Sequence, residues 1–210
     1  MATSLSKENI LKRIREALVN PVPLPFPQSE GANSVYVKST EEPIVVFAEE
    51  FTKLQGKFAF CTDEVDFNFQ LKQLIHQRKW SKIYCVEDLL QQKLQKLDID
   101  NYSDLPSCEV GVTSCEYLVA RTGTIVMTTA QQSGRTPSVY APIHICVAYT
   151  NQLVNDVKDA LQLMKEKHAD HFPSFTTFAS GPSRTADIEK TLVTGVHGPK
   201  EVFCFLIDNN

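Results

Sequence analysis

The chain has 210 residues, of which 42% are hydrophobic and 22% are charged, and its formal net charge is -4. This length favours one domain with a full hydrophobic core, and the composition is typical of globular proteins. The mild acidity and the lack of a basic stripe argue against a nucleic-acid partner. No apolar run has the length of a membrane span or the pattern of a signal peptide, so we expect a cytoplasmic protein.

The first predicted element is an amphipathic helix over residues 6–19, whose apolar side chains share one face. Prolines at positions 21, 23, 25 and 27 follow it and favour an extended polyproline segment. We therefore predict an N-terminal helix and proline-rich arm over residues 1–30 and an α/β domain over residues 31–210.

Helix and strand patterns alternate in the next part of the chain. They predict helices over residues 39–56, 65–78 and 87–97, and strands over residues 57–61 and 82–86. The first of these helices has a capping-box pattern at Ser39 and Glu42. The alternation predicts an α/β fold with a mostly parallel central sheet and helices on both faces.

Strand patterns dominate after residue 98. A short helix capped by Thr113 and Glu116 is predicted between two strands. The later elements are predicted as strands over residues 124–129, 138–149, 174–180 and 201–208, and a helix over residues 151–168.

The chain contains six cysteines and no C-x-x-C motif, so neither a zinc site nor a self-contained iron–sulfur site is indicated. Four of them lie in apolar runs and are interpreted as reduced core residues: Cys61, Cys85, Cys146 and Cys204. Cys108 and Cys115 lie in a less apolar stretch. They are candidates for cluster ligands at an interface.

The segment 181–201, GPSRTADIEKTLVTGVHGPKE, concentrates turn and polar residues after a predicted strand. It is interpreted as a strand-to-helix turn in which Ser183 or Thr185 caps a helix that Gly195 ends. The free N–H groups of such a helix start would favour a phosphate or carboxylate, and Arg184 would assist. The alternative is that Ser183, Thr185 and Asp187 only cap the helix.

Several motifs in this order resemble the lactate-utilisation C-subunit family, the LUD-domain proteins. They are GVTSCEYLVARTGT at 111–124, GR at 134–135 followed by APIHICVA at 141–148, GPSRTADIE at 181–189, and GVHGPKE at 195–201. The resemblance is strong over residues 100–208 and loose over the rest. Arg121 departs from it, because many relatives carry an acidic or small residue before the Thr-Gly pair.

The resemblance implies a fold of the ribose-5-phosphate isomerase A, glucosamine-6-phosphate deaminase and CoA-transferase type. It implies a role as the cluster-free subunit of a system that oxidises L-lactate to pyruvate. The two partner subunits are expected to carry the iron–sulfur clusters, and no cofactor or metal is expected on this chain.

Two residues are candidates for catalysis. Glu116 would act as a nucleophile if CoA-transferase-like chemistry is retained, but the preferred interpretation is that it caps the predicted short helix. His197, between two glycines in a turn, could act as an acid or base near neutral pH. His144, flanked by apolar residues, is interpreted as a hydrogen-bonded core residue.

The candidate ligand-binding residues lie in turns next to predicted strands, where sites are often placed. Glycine in such turns lets the backbone approach a ligand closely, and arginine suits a carboxylate. They are Thr122, Gly123, Thr124, Gly134, Arg135, Gly181, Ser183, Arg184, Thr185, Asp187 and Gly198. The expected ligand is a small carboxylate or a phosphorylated molecule.

Two alternatives to the subunit role stay open. The chain could be a stand-alone enzyme acting on a phosphorylated or CoA-type ligand. It could also be a binding module that senses a small carboxylate without turnover.

Overall fold

The computed structural model describes residues 5–19, 40–188 and 191–209. The chain divides into two compact units, Met1–Lys38 and Ser39–Asn210. The predicted N-terminal helix is present as α1 (Leu5–Val19). The proline-rich segment, the boundary at residue 30 and the capping residue Ser39 lie outside the described residues.

The second unit contains five helices and eleven strands among its described residues. The helices are α2 (Pro43–Lys53), α3 (Glu64–Arg78), α4 (Asp88–Lys96), α5 (Pro137–Tyr140) and α6 (Val157–His168). The strands are β1 (Lys57–Cys61), β2 (Ile83–Tyr84), β3 (Val110–Thr113), β4 (Tyr117–Val119), β5 (Thr124–Thr128), β6 (Ile143–Tyr149), β7 (Leu153–Val154), β8 (Thr176–Ala179), β9 (Arg184–Ile188), β10 (Thr191–Thr194) and β11 (Glu201–Ile207).

The predicted α/β fold is confirmed. Five strands form a sheet in the order β1-β11-β6-β3-β2, and every neighbouring pair is parallel. A second, mixed sheet has the order β7-β4-β5-β8, and β9 and β10 form an antiparallel hairpin. The near-continuous apolar sequences of β6 and β11 fit strands that are buried on both faces.

The parallel sheet lies between two apolar layers. On one face, α3 and α4 pack Phe67 and Leu94 against sheet residues such as Val112 and Phe205. On the other face, α2 and the second sheet form a core that includes Phe51, a fully buried residue. Helix α6 covers the outer face of the second sheet through its residues Ala160 and Met164.

The predicted helix after residue 183 is wrong, because the segment forms the β9–β10 hairpin. Its register pairs Arg184 with Thr194 and Thr185 with Val193, and an irregularity shifts the register between Thr191 and Val193. The two strands are rich in β-branched residues, which favour strands over helices. The hairpin therefore has no helix N-terminus to bind an anion, and the anion pocket based on one is wrong too.

The predicted helix at 113–116 is also absent. Thr113 ends the buried strand β3, and a short link leads to β4. The side chain of Glu116 contacts Thr128 and Lys167 instead of capping a helix. The local capping pattern is therefore overridden by tertiary packing.

Candidate functional site

A cleft of about 250 Å³ opens beside the amino ends of β6 and β11. His144 and Val202, the second residues of these strands, are paired in register and both line the cleft. The turns before and after the β9–β10 hairpin form part of its wall. Ligands of open α/β sheets usually bind at the carboxyl ends of the strands. This cleft lies at the opposite edge of the sheet, because the segment 181–199 leads into the start of β11.

The cleft has an apolar part and a polar part. The apolar part is formed mainly by Met127, Val139, Phe178 and Val202. Its side-chain hydrogen-bonding groups belong to Ser138, His144, Thr177, Ser180, Ser183 and His197. No Asp, Glu, Lys or Arg lies among the described residues that line it, so its polar part consists of hydroxyl, imidazole and backbone groups.

Two predicted motifs are brought together at the cleft. The Ser183 N–H donates to the Pro199 carbonyl at 2.9 Å, and the Gly195 N–H donates to the Ser183 carbonyl at 2.9 Å. A Cβ atom at Gly198 would lie 2.8 Å from the Ser183 Cβ, so glycine is needed for this close approach. The turns at 181–183 and 195–199 therefore form one wall, with His197 exposed on it.

Gly181 also has a structural reason to be glycine. Its φ is +81°, and a Cβ atom there would lie 2.5 Å from the Leu54 carbonyl oxygen at the end of α2. Arg184 donates to the same carbonyl oxygen at 3.4 Å, where a cation is favourable beside a helix C-terminus. Neither Arg184 nor Thr185 lines the cleft, and the side chain of Asp187 lies outside the described part of the chain.

His144 is buried and hydrogen-bonded, as predicted, but it also lines the cleft. Only 1% of its surface is exposed, and its Nε2 lies 2.8 Å from the Thr113 Oγ1. Burial lowers the pKa of His144 to about 4, so the ring is neutral at physiological pH. Its flanking apolar residues gave no sign of the cleft, because the cleft forms only when β8 and β11 come together.

A chain of hydroxyl groups runs from the cleft to the turn at 122–124. The Ser180 Oγ, which belongs to a cleft residue, lies 2.6 Å from the Thr124 Oγ1, and this lies 2.7 Å from the Thr122 Oγ1. Gly123 has a φ of +54°, and a Cβ atom there would lie 2.7 Å from the Phe51 Cα. Gly123 therefore serves close packing against α2, and the two threonines connect to the cleft through the Ser180 hydroxyl.

Glu116 lies away from the cleft in a buried charged group. Its carboxylate accepts hydrogen bonds from Thr128 at 2.9 Å and from Lys167 at 2.6 Å, while the His168 Nε2 is 3.3 Å away. Burial raises the pKa of Glu116, but the hydrogen bonds from Lys167 and Thr128 and the positive charge outweigh it, and the net shift is downward. The side chain is thus ionised and ties the end of α6 to the second sheet.

The loop with Gly134 and Arg135 also lies outside the cleft lining. The Arg135 guanidinium lies 5.0 Å from the centre of the Phe175 ring, a cation–π geometry. Gly134 has a φ of +57° and open space around it. Arg121, the departure noted in the sequence, forms a two-point ion pair with Asp156 at the start of α6.

Sequence comparison identifies the family. The LUD domain matches residues 28–207, which is most of the chain. The chain belongs to the LUD domain family. The resemblance noted from the sequence motifs is thereby confirmed.

This LUD domain is similar to proteins named Lactate utilization protein C. The one from Anoxybacillus flavithermus is 28% identical over 176 residues, which are 77% of this chain and 78% of the relative. The one from Bacillus licheniformis is 31% identical over 112 residues, and that from Bacillus subtilis is 30% identical over 112 residues. Each of these two matches covers 52% of this chain and only about half (47%) of the relative's length.

A solved structure shows the same fold. A DUF162 family protein from Deinococcus radiodurans aligns with a TM-score of 0.58 over 79% of this chain and 96% of that chain. The two sequences are 17% identical, so the similarity carries the fold alone.

The six cysteines of this LUD domain are all buried. Burial raises the pKa of Cys61 to about 12 and that of Cys85 to about 11, so these thiols stay protonated at neutral pH. Over residues 5–19, 40–188 and 191–209, no group of three or more His, Cys, Asp or Glu side chains is placed to hold a metal ion. In the same ranges, no helix is long and apolar enough to cross a membrane.

Proposed function

We propose that this chain acts in lactate utilisation as the cluster-free subunit of a system that oxidises L-lactate to pyruvate. The observation that carries the proposal is the match to Lactate utilization protein C of Anoxybacillus flavithermus over more than three quarters of both chains. Membership of the LUD domain family supports the same role.

The oxidation of L-lactate to pyruvate releases two electrons and two protons. In the proposed system, the iron–sulfur clusters expected on two partner subunits would accept the electrons. The thiols of this chain are buried, and a cysteine in a dry, apolar site is a weak metal ligand because the thiolate is disfavoured. This supports a division of labour in which the partners carry the clusters and this chain binds or positions a small molecule.

The cleft supports a small ligand over a large one. Its volume of about 250 Å³ lies below the roughly 300–1,000 Å³ of pockets that hold drug-sized ligands and cofactors. The CoA-type alternative depended on Glu116 as a nucleophile, and Glu116 instead forms a buried ion pair with Lys167 away from the cleft. We therefore prefer a small carboxylate as the ligand.

The proposed function is tested by reconstitution. The two iron–sulfur partners, purified without oxygen, are assayed for L-lactate-dependent dye reduction with and without this chain. We expect dye reduction to require this chain and to fall when the His197→Gln variant is used in its place. The matched control is His171→Gln, an exposed histidine outside the cleft. Dye reduction that is the same without the chain would contradict the subunit role.

A further inference from the structure

We propose that strand β8, which lies at one edge of the mixed sheet, pairs antiparallel with β8 of a second copy of this chain. The four-stranded mixed sheets of the two copies then form one continuous sheet across a two-fold axis. This inference goes beyond the proposed function and does not depend on it, because it concerns an interaction surface and not the ligand.

The first step is the direction in which the backbone groups of β8 point. In the described structure β8 pairs with β5, and the register continues to Thr129, whose N–H donates to the carbonyl oxygen of the opposite residue, Phe175, at 3.2 Å. Hydrogen-bonded and non-hydrogen-bonded pairs alternate along an antiparallel ladder. Phe175 and Thr177 therefore direct their N–H and C=O groups towards β5, whereas those of Thr176 and Phe178 point away from it.

The second step is that the outward-pointing groups are free to pair. Within residues 5–19, 40–188 and 191–209, no hydrogen bond reaches the backbone N–H or C=O of Thr176 or Phe178. The Phe178 side chain beside them is 40% exposed. An edge with unpaired backbone groups and an exposed aromatic side chain is a surface to which another strand can add.

The other edge strands of the two larger sheets are protected against such pairing. Strand β1 carries the charged Lys57, and the Gln70 side chain donates to the Phe60 carbonyl oxygen at 3.2 Å. Strand β2 has two residues, and its Ile83 carbonyl oxygen accepts from the Tyr102 N–H at 2.7 Å. Strand β7 also has two residues. Lysines, short strands and covering segments are the usual means by which a sheet edge avoids a second chain.

The third step is the choice of a second copy as the occupant. The segment 174–180, SFTTFAS, contains no charged residue, so two copies of it meet without like-charge repulsion. A two-fold axis between antiparallel strands places one residue opposite its own copy. With Thr177 on this axis the whole segment overlaps, and Thr176 pairs with Phe178 of the second copy through the outward-pointing backbone groups. Threonine–threonine and aromatic–β-branched neighbours are favourable cross-strand pairs.

The nearby charge of Arg135 is compatible with this register. Its guanidinium lies 5.0 Å from the centre of the Phe175 ring. With Thr177 on the axis, Phe175 faces Ala179 of the second copy, so the two Phe175 residues are offset by four positions, about 13 Å along the strands. The two arginines therefore lie at opposite ends of the paired segment and do not face each other.

The oligomeric state of the intact chain is measured by analytical ultracentrifugation over a dilution series. We expect a species of twice the chain mass of 23.6 kDa that dissociates on dilution. A monomer at every concentration would overturn the inference.

A matched pair of lysine variants locates the interface. Phe178 and Phe60 are 40% and 39% exposed, and both lie on edge strands, but the proposal involves only Phe178. We expect Phe178→Lys to weaken the dimer by about tenfold or more, since a lysine on an edge opposes pairing. Phe60→Lys should leave the dimer unchanged. Equal effects of the two variants would contradict the assignment to β8.

Hydrogen exchange of the unmodified chain tests the register even where a variant fails to fold. We expect the Thr176 and Phe178 amides to exchange more slowly as the protein concentration rises, because only the dimer pairs them. The Thr177 amide, which faces β5, should be protected at every concentration. Exchange of Thr176 and Phe178 that is fast in the dimer would overturn the inference.

A cross-link tests the position of the axis. Thr177 forms a non-hydrogen-bonded pair with its copy, in which the side chains are close, and the six native cysteines are buried. We expect Thr177→Cys to give a covalent dimer with oxidised glutathione, whereas Phe60→Cys stays largely monomeric on a denaturing gel. Equal cross-linking of the two variants would contradict the register.

Discussion

The segments 111–128 and 181–199 both combine glycines with polar residues, and both supplied candidates for the site. In the first, Gly123 packs against α2 and Glu116 is ion-paired inside the protein. In the second, Ser183, His197 and Gly198 line an open cleft. A polar, glycine-rich turn therefore indicates a ligand only where the fold leaves space beside it.

The largest loss of stability is expected for Gly123→Ala. A left-handed backbone costs a non-glycine residue about 1–2 kcal/mol, and overpacking adds about 1–3 kcal/mol. A Cβ atom here would lie 2.6 Å from the Glu50 carbonyl carbon, so we expect the free energy of unfolding to fall by about 4 kcal/mol in urea titrations. Gly134→Ala is the matched control, because its φ of +57° is similar but its surroundings are open.

For Gly134→Ala we expect a loss of only about 1 kcal/mol, from backbone strain without a clash. Equal losses for the two alanine variants would show that Gly123 is not a packing residue. That result would support the prediction that Gly123 is a ligand-binding residue.

The second largest effect is the contribution of His144 to the pH dependence of the unfolding free energy. Burial places its folded pKa at about 4, below the unfolded value of 6.5. As the pH falls, the histidine is therefore protonated in the unfolded chain before it is protonated in the folded chain. The stability that the neutral ring contributes is complete above pH 6.5 and is lost as the pH falls towards 4. The difference corresponds to about 3 kcal/mol. His144→Gln should flatten the urea-unfolding free energy over this pH range.

The control for that experiment is His76→Gln, which changes an exposed histidine on α3. It should leave the pH dependence of unfolding as it is in the unmodified chain. A pH dependence that persists unchanged in His144→Gln would contradict the burial of a neutral ring at the cleft.

A smaller effect is expected for Glu116→Gln. The carboxylate is buried, but the Lys167 side chain is 55% exposed and can return to water, so we expect a loss of about 1 kcal/mol at neutral pH. The folded pKa of Glu116 is lowered, so its contribution is present above the unfolded value of 4.5 and is lost as the pH falls through the folded value. The stability difference from the unmodified chain should therefore disappear in acid.

Chemical unfolding at several pH values checks this prediction, with the exposed Glu49→Gln as a control. If Glu116 were a catalytic nucleophile instead, the glutamine variant would abolish lactate-dependent activity in the reconstituted system while its stability hardly changed. That outcome would place the functional site in the segment 111–128 instead of 181–199.

The smallest effect is expected for Arg184→Ala. Its hydrogen bond to the Leu54 carbonyl is long and exposed, so its removal should lower the free energy of unfolding by about 0.5 kcal/mol. Because Arg184 does not line the cleft, its removal should weaken L-lactate binding less than Ser183→Ala does. Calorimetry on both variants makes the comparison, and a larger loss of affinity for the arginine variant would extend the site to the hairpin.

Much of the fold follows from local sequence patterns. The alternation of apolar runs predicts the parallel sheet, and the strand Lys57–Cys61 has the bounds expected from its sequence. The hairpin after Ser183 was missed, because the Gly-Pro turn and the polar residues after it also match a helix start. The segment forms strands because Thr185 pairs with Val193 across the hairpin, a contact that the local pattern does not show.

The site was predicted only in part. The glycines and His197 of the turns were visible in the sequence, and the structure joins them through the hydrogen bond between Ser183 and Pro199. The sequence does not indicate that His144 and Ser180 line the cleft, because the cleft forms between strands that are distant in the chain. Glu116 was predicted as a site residue but lies away from the cleft. The sequence around it does not indicate its ion-pair partner Lys167, which lies 51 positions later.

The most direct test of the cleft is a titration of the ¹⁵N-labelled intact chain with L-lactate, followed by NMR chemical shifts. We expect the largest shifts at His144, Ser183, His197 and Gly198, and little change at Glu116. Shifts centred on Glu116 and Lys167, or none at saturating L-lactate, would contradict the assignment of the ligand to the cleft.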